Sequence, residues 1–111
     1  MNEYVYTWLF DIKKSTDEIE SYFPEGKIFN EFQRDFKTQR AVERNIEIIG
    51  EAMSRILKIE PSIKISNSRK IVDARNIIIH GYDEISEEVI WGIVVKNLPI
   101  LKNEVELLLK K

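Results

Sequence analysis

The chain is predicted to be all-α: an antiparallel bundle of four to five helices forming one domain over residues 1–111. Three observations point there. Apolar residues recur at steps of three, four and seven along most of the sequence, the period of a helix with one buried face. The interruptions coincide with Pro, Gly and Ser/Asn clusters, which end helices and build turns. Nothing reads as a series of strands and turns, since Ile77-Ile78-Ile79 is short and flanked by helix-compatible residues. A chain of 111 residues supports one hydrophobic core.

The first helix is expected from about residue 2 to 22, on the stripe Tyr4, Val5, Trp8, Leu9, Ile12 and Ile19. Pro24-Glu25-Gly26 breaks it, and a short helical turn around Ile28 to Phe32 places Phe29 and Phe32 three apart. The second long helix is expected over about Asp35 to Lys58, with Val42, Ile46, Ile49, Met53 and Ile56 on its core face. Gly50 lies inside it, where glycine costs about 1 kcal/mol against alanine, so a close helix contact is expected there. Glu43, Glu47 and Glu51 share a face of this helix and read as solvated or paired charges. After Pro61, Ser66-Asn67-Ser68 offers capping oxygens to a third helix, which carries Ile71, Val72, Ala74 and Ile77 to Ile79 and stops at Gly81. Ser86 then reads as the cap of a last helix, with Glu87 and Glu88 in its first turn and an end near Leu109. Pro99 inside that helix predicts a kink or local break. Trp8 and Trp91 are expected as core aromatics.

Composition excludes several function classes. With no cysteine there are no disulfides, thiol nucleophiles or thiolate metal sites. No run approaches the length of a membrane span and the first residues lack the pattern of a signal peptide, so the cytoplasm is expected and no membrane partner. A formal net charge of -2 argues against a general nucleic-acid coat protein, and leaves room for a local basic patch on an enzyme that touches RNA briefly.

The chemistry concentrates in Arg75-Asn76-Ile77-Ile78-Ile79-His80-Gly81-Tyr82, which holds the only histidine. Asn76 and His80 are four apart and lie on one helix face, so Asn76 is expected to bond the imidazole and fix its tautomer. Arg75 and His80 are five apart and diverge by roughly 140° on an ideal helix. One copy would not aim both at one phosphate, whereas two copies across a two-fold axis would, which predicts a composite site in a homodimer. The suited chemistry is RNA phosphodiester cleavage that needs no metal and no cofactor. Imidazole moves the protons and the arginine stabilises charge developing on the phosphate. Arg69 and Lys70, and the four-spaced pair Arg40 and Arg44, are candidate RNA contacts. The plain alternative for a lone histidine at a helix C-terminus is a partner for the helix dipole.

Taken together these residues resemble the HEPN superfamily, and within it the HepT-like toxins of prokaryotic toxin–antitoxin pairs. The resemblance rests on Arg, four residues, His, one residue, Tyr, here Arg75, His80 and Tyr82, with Asn76 after the arginine and Gly81 after the histidine. Ile48-Ile49-Gly50-Glu51-Ala52, Trp91 and Leu98-Pro99 are similar to other segments of the family. Ile63, Ile65 and Asn67 stand where members often carry a tryptophan, and Asp73 and Ala74 replace more usual apolar residues. Asp73 is thereby placed to pair with Arg69 or Lys70. The resemblance implies a HEPN fold, a homodimer through the third and fourth long helices, and metal-independent endoribonuclease activity with Arg75 and His80 as the catalytic pair, supported by Asn76. The RNA would be a transfer or messenger RNA. It also implies a nucleotidyltransferase antitoxin, in a type VII-like system, that transfers AMP to Tyr82, with a higher hetero-oligomer as one form of the complex. A non-catalytic HEPN module that assists a nucleotidyltransferase, and a structural helical adaptor, are the alternative readings.

Overall fold

The computed structural model describes residues 1–80 and 87–110. The Gly81 stop, Tyr82, the Asp83-Glu84-Ile85 connection and the Ser86 cap lie outside the described residues. Among those described the structure is helical and without strands. Helix α1 spans Glu3–Ser21, the short α2 Phe29–Gln33, α3 Phe36–Ile59 and α4 Ser68–Ile79. Then α5, Glu87–Gly92, runs through a π-helical turn, Ile93–Asn97, into α6, Leu98–Leu109.

Local chemistry explains the starts. The Asn2 side chain caps α1 by accepting from the Tyr4 N–H at 2.7 Å. Asp35 caps α3 with both oxygens, accepting from Thr38 N at 3.0 Å and Thr38 Oγ1 at 2.6 Å. The predicted side-chain cap of α4 does not form. Asn67 holds the cap position with φ 56°, a left-handed conformation that asparagine tolerates, and its side chain makes no capping bond. Its neighbour Ser66 is drawn away: both its N–H and its hydroxyl donate to the Glu104 carboxylate of α6, at 3.0 Å each. The connection into α4 is therefore fastened to the last helix rather than to its own.

The expected break near Pro99 takes the form of the π turn. Proline has no N–H and its ring crowds the carbonyl four residues back. Widening the turn just ahead of it relieves that clash, and the Leu98 N–H reaches back five residues to the Ile93 carbonyl.

Helix α3 is the centre of the bundle. α1 and α4 pack along it, α2 lies against it, and α6 packs on α1. The core is built from Val5, Leu9 and Ile12 of α1, Val42, Ile49, Met53 and Ile56 of α3, and Val105 of α6, all fully buried. Ile71 and Val94 join it from α4 and the π turn. Buried polar groups tie elements together. Gln39 Nε2 donates to the carbonyls of Phe32 and Gln33, holding α2 on α3. Tyr22 donates to Asn45, which donates in turn to Glu18, at 2.7 Å each. Trp91 sits among Phe23, Phe29 and Phe32, with ring centroids 5.0 to 5.9 Å away, so the spacing of Phe29 and Phe32 serves to anchor α5. Trp91 and Trp8 are half-buried against the core rather than inside it. No helix is long and apolar enough to cross a membrane.

Candidate active site

Arg75 is placed by a glycine. Where α4 meets α3, the stem of Arg75 lies directly over Gly50. A Cβ on Gly50 would overlap the Arg75 Cβ and would meet its Cγ and Cδ at 3.2 and 3.1 Å. The close contact expected of this glycine is therefore with the arginine of the histidine-bearing string. One residue on, Glu51 receives the guanidinium: Arg75 Nη2 lies 2.6 Å from Glu51 Oε2. The other oxygen of Glu51 accepts from Arg55 Nε at 2.9 Å. The carboxylate is thus a fork between two arginines, held on α3 by the second and holding the first. A longer contact of 3.4 Å runs from Arg75 Nη1 to the Asn76 side-chain oxygen. The side chain is 26% exposed and its other N–H donors have no partner among the described residues, so they can face a ligand.

The guanidinium opens into a cleft of about 240 Å³ between α1, α3 and α4. Trp8 and Asp11 line it from α1; Arg44, Glu47, Glu51 and Arg55 line it from α3; Arg75 and Ile79 line it from α4. Three cations thus face three carboxylates. Glu43, Glu47 and Glu51 are all paired, with Arg40, with Arg44, and with Arg55 plus Arg75 respectively. Of the predicted RNA contacts on α3, Arg44 lines the cleft and Arg40 does not.

His80 is exposed at the C-cap of α4. Its ring is bonded as expected to Asn76, but through the main chain: Nδ1 lies 2.8 Å from the Asn76 carbonyl oxygen. The expectation that the carboxamide would orient the ring is corrected, because that group leans toward Arg75. A carbonyl only accepts, so Nδ1 carries the proton of the neutral ring and Nε2 carries the lone pair. The same carbonyl accepts from the His80 backbone N–H at 3.1 Å, which pins backbone and ring together. Arg75 turns toward α3 and His80 lies on the exposed side, as the roughly 140° between them requires.

Arg69 and Lys70 are exposed in the first turn of α4. Neither pairs with Asp73 among the described residues. Lys70, Asp73 and Ile77 instead line a second groove of about 300 Å³ with Val89, Ile93 and Lys96 across it. Among the described residues no three acidic, imidazole or thiol groups come together at distances that would hold a metal ion. Sequence reasoning missed Glu51 as a partner of the arginine. Its position next to the lone interior glycine of α3 was the available signal. Trp8 as a cleft wall was missed because its helical phase matched the core stripe.

The family described as "Ribonuclease HepT-like" matches residues 12–108. The chain belongs to the HepT-like ribonuclease family. A relative named "Putative RNase" in Methanocaldococcus jannaschii is 33% identical over 110 residues, 96% of this chain and 88% of that one. A second from the same organism is 36% identical over 105 residues, 93% and 94% of the two chains. The "probable ribonuclease HepT" of Thermococcus cleftensis is 36% identical over 107 residues, again 93% and 94%. No solved structure matches significantly. HepT-like membership makes the chain a ribonuclease by class.

Proposed function

We propose that the chain is a cytoplasmic, metal-independent endoribonuclease toxin whose active site is completed across a homodimer. The observation that carries this is the preparation of two groups for different halves of one reaction. Arg75 is held over Gly50 by Glu51 with donors to spare, and the Asn76 carbonyl sets the His80 ring with its lone pair at Nε2. A neutral His80 takes the proton of a ribose 2′-hydroxyl and that oxygen attacks the adjacent phosphorus. The P–O5′ bond breaks, leaving a 2′,3′-cyclic phosphate, and the protonated imidazole of the second copy gives its proton to the departing 5′-oxygen. Arg75 stabilises the charge on the phosphoryl oxygens. The dimer face proposed is the C-terminal half of α4, where Ile79, 48% exposed, lies between Arg75 and His80 around the helix.

The test is cleavage of transfer RNA or total RNA in EDTA. Wild-type protein cuts it, while His80→Ala and Arg75→Ala are each slower by roughly 10²–10⁴-fold. Cleavage indifferent to His80→Ala overturns the mechanism. No cleavage at all together with tight nucleotide binding favours a non-catalytic module. Control is proposed through a nucleotidyltransferase antitoxin of a type VII-like pair. The Tyr82 oxygen attacks the α-phosphorus of ATP, pyrophosphate leaves and the phenolic proton passes to solvent. The added negative charge beside cationic groups repels RNA. Co-expression with the antitoxin should add AMP-sized increments to the intact mass of the wild type and none to Tyr82→Phe. Increments that persist in Tyr82→Phe would place the modification elsewhere.

A further inference from the structure

The cleft beside Arg75 has a wall that phosphate binding does not require. Tyr4, Trp8 and Asp11 follow at i, i+4 and i+7 and so form one stripe of α1. Trp8 is half-buried, with Tyr4 stacked on it at a centroid distance of 6.1 Å and an interplanar angle of 29°. Tyr4 itself is 68% exposed, so the pair is an aromatic shelf open to solvent at the rim. Asp11 makes no hydrogen bond or ion pair among the described residues. It is an acceptor with unused capacity in a cleft whose three arginines are each already matched by a carboxylate. A track for the RNA backbone would be lined by cations alone. An aromatic surface, a carboxylate acceptor and a phosphate-ready arginine together match a single nucleotide with its base unstacked.

We propose that this cleft holds the nucleobase of one nucleotide flanking the scissile phosphate. The base stacks on Trp8 and donates edge N–H groups to Asp11, while Arg75 takes the phosphate. This rests on the RNA-cleaving reading above and names the form of RNA that the site accepts. A base can enter only where it is unpaired, so single-stranded segments are substrates and duplexes are not.

The experiment uses the full chain and an RNA oligonucleotide with a mapped cleavage position, compared with oligonucleotides made abasic at the nucleotide on either side. Wild-type kcat/KM should fall about tenfold or more for one of the two abasic substrates, the scale of one base–aromatic stack. Trp8→Ala should lose a similar factor on the intact oligonucleotide and little further on that abasic one. Trp8→Phe, which keeps a stacking face, should retain most of the wild-type rate. Asp11→Asn should weaken KM on the intact substrate only. Equal cleavage of intact and abasic substrates by wild type overturns the subsite, and needs no variant to fold. So does a Trp8→Ala loss shared equally by all substrates, which is the mark of a structural role. Wild-type protein that cuts no oligonucleotide overturns the ribonuclease reading, and the subsite with it.

Discussion

Arg75, the arginine proposed to act on phosphate, is set by residues it does not adjoin in sequence. Glu51 accepts from Arg75 at 2.6 Å and from Arg55 at 2.9 Å, one oxygen each. A carboxylate held from behind is a firmer orienting group than one free to rotate. Glu51→Gln keeps the shape and removes the charge. Its kcat on RNA should fall about tenfold, equivalent to about 1.4 kcal/mol of barrier, with KM nearly unchanged. Unfolding midpoints should shift by less than about 1 kcal/mol in stability, because the pair is partly solvated. A fall in stability that matches the fall in rate would reduce Glu51 to a structural residue. The eight-residue string stood out as a candidate reactive centre because an arginine, a carboxamide and the only histidine cluster there. Its inner bonding was not legible. Whether the Asn76 carboxamide or the Asn76 carbonyl meets the imidazole depends on χ angles, and both partners lie four residues back.

At the scale of elements, the ends of α1 and α3 were readable to within a residue or two, because Pro24-Glu25-Gly26, Asp35 and Pro61 fall close to them. The cap of α4 was misread for a tertiary reason. Glu104 lies 38 residues from Ser66 and takes the serine that local rules assigned to the helix. The α1–α6 contact was likewise invisible in sequence, and it carries a charge clamp. Asp17 accepts from Lys13 at 2.8 Å and from Lys102 at 3.0 Å. The Lys13 hydrogen bond leads in holding the Asp17 carboxyl below its ordinary 3.8, against an opposing effect of burial, with Lys102 adding to it. Bonding to Asp17 raises Lys102 above its ordinary 10.5. A lowered acid stabilises the fold above its ordinary value and loses that contribution as pH falls through the folded value. A raised lysine contributes below its ordinary value and loses it as pH rises through the folded one. The clamp therefore holds across neutrality. Asp17→Asn should cost up to about 1 kcal/mol in urea unfolding at pH 7, a surface-pair magnitude. The difference from wild type should close as pH drops below 3.8. A difference that stays constant in acid would assign the effect to packing.

At the scale of the whole molecule, the divergence of Arg75 and His80 on one helix makes a single copy incomplete under the proposed mechanism. Because that mechanism draws one imidazole from each copy, a mixed dimer of wild-type and His80→Ala chains should be as slow as the His80→Ala dimer, so refolding wild type with excess His80→Ala should suppress its cleavage. Mixed dimers that keep about half of the wild-type rate would place the reaction within one copy. The all-α class followed from periodicity that spans the chain. The cleft did not, because Trp8 sits on the same stripe as Leu9 and Ile12 and only the packing of α3 and α4 leaves one of its faces open.

Gly50 connects these scales. Because an added Cβ there would collide with the first carbon of the Arg75 side chain, the guanidinium reaches its place only at full closure of α3 on α4. The site works as a feeler gauge on interhelical spacing. A chain that has formed its helices but not seated them carries Arg75 and His80 and still lacks the placed guanidinium. For a nuclease synthesised among the RNAs of its own host, cleavage would begin only with the last contact of folding.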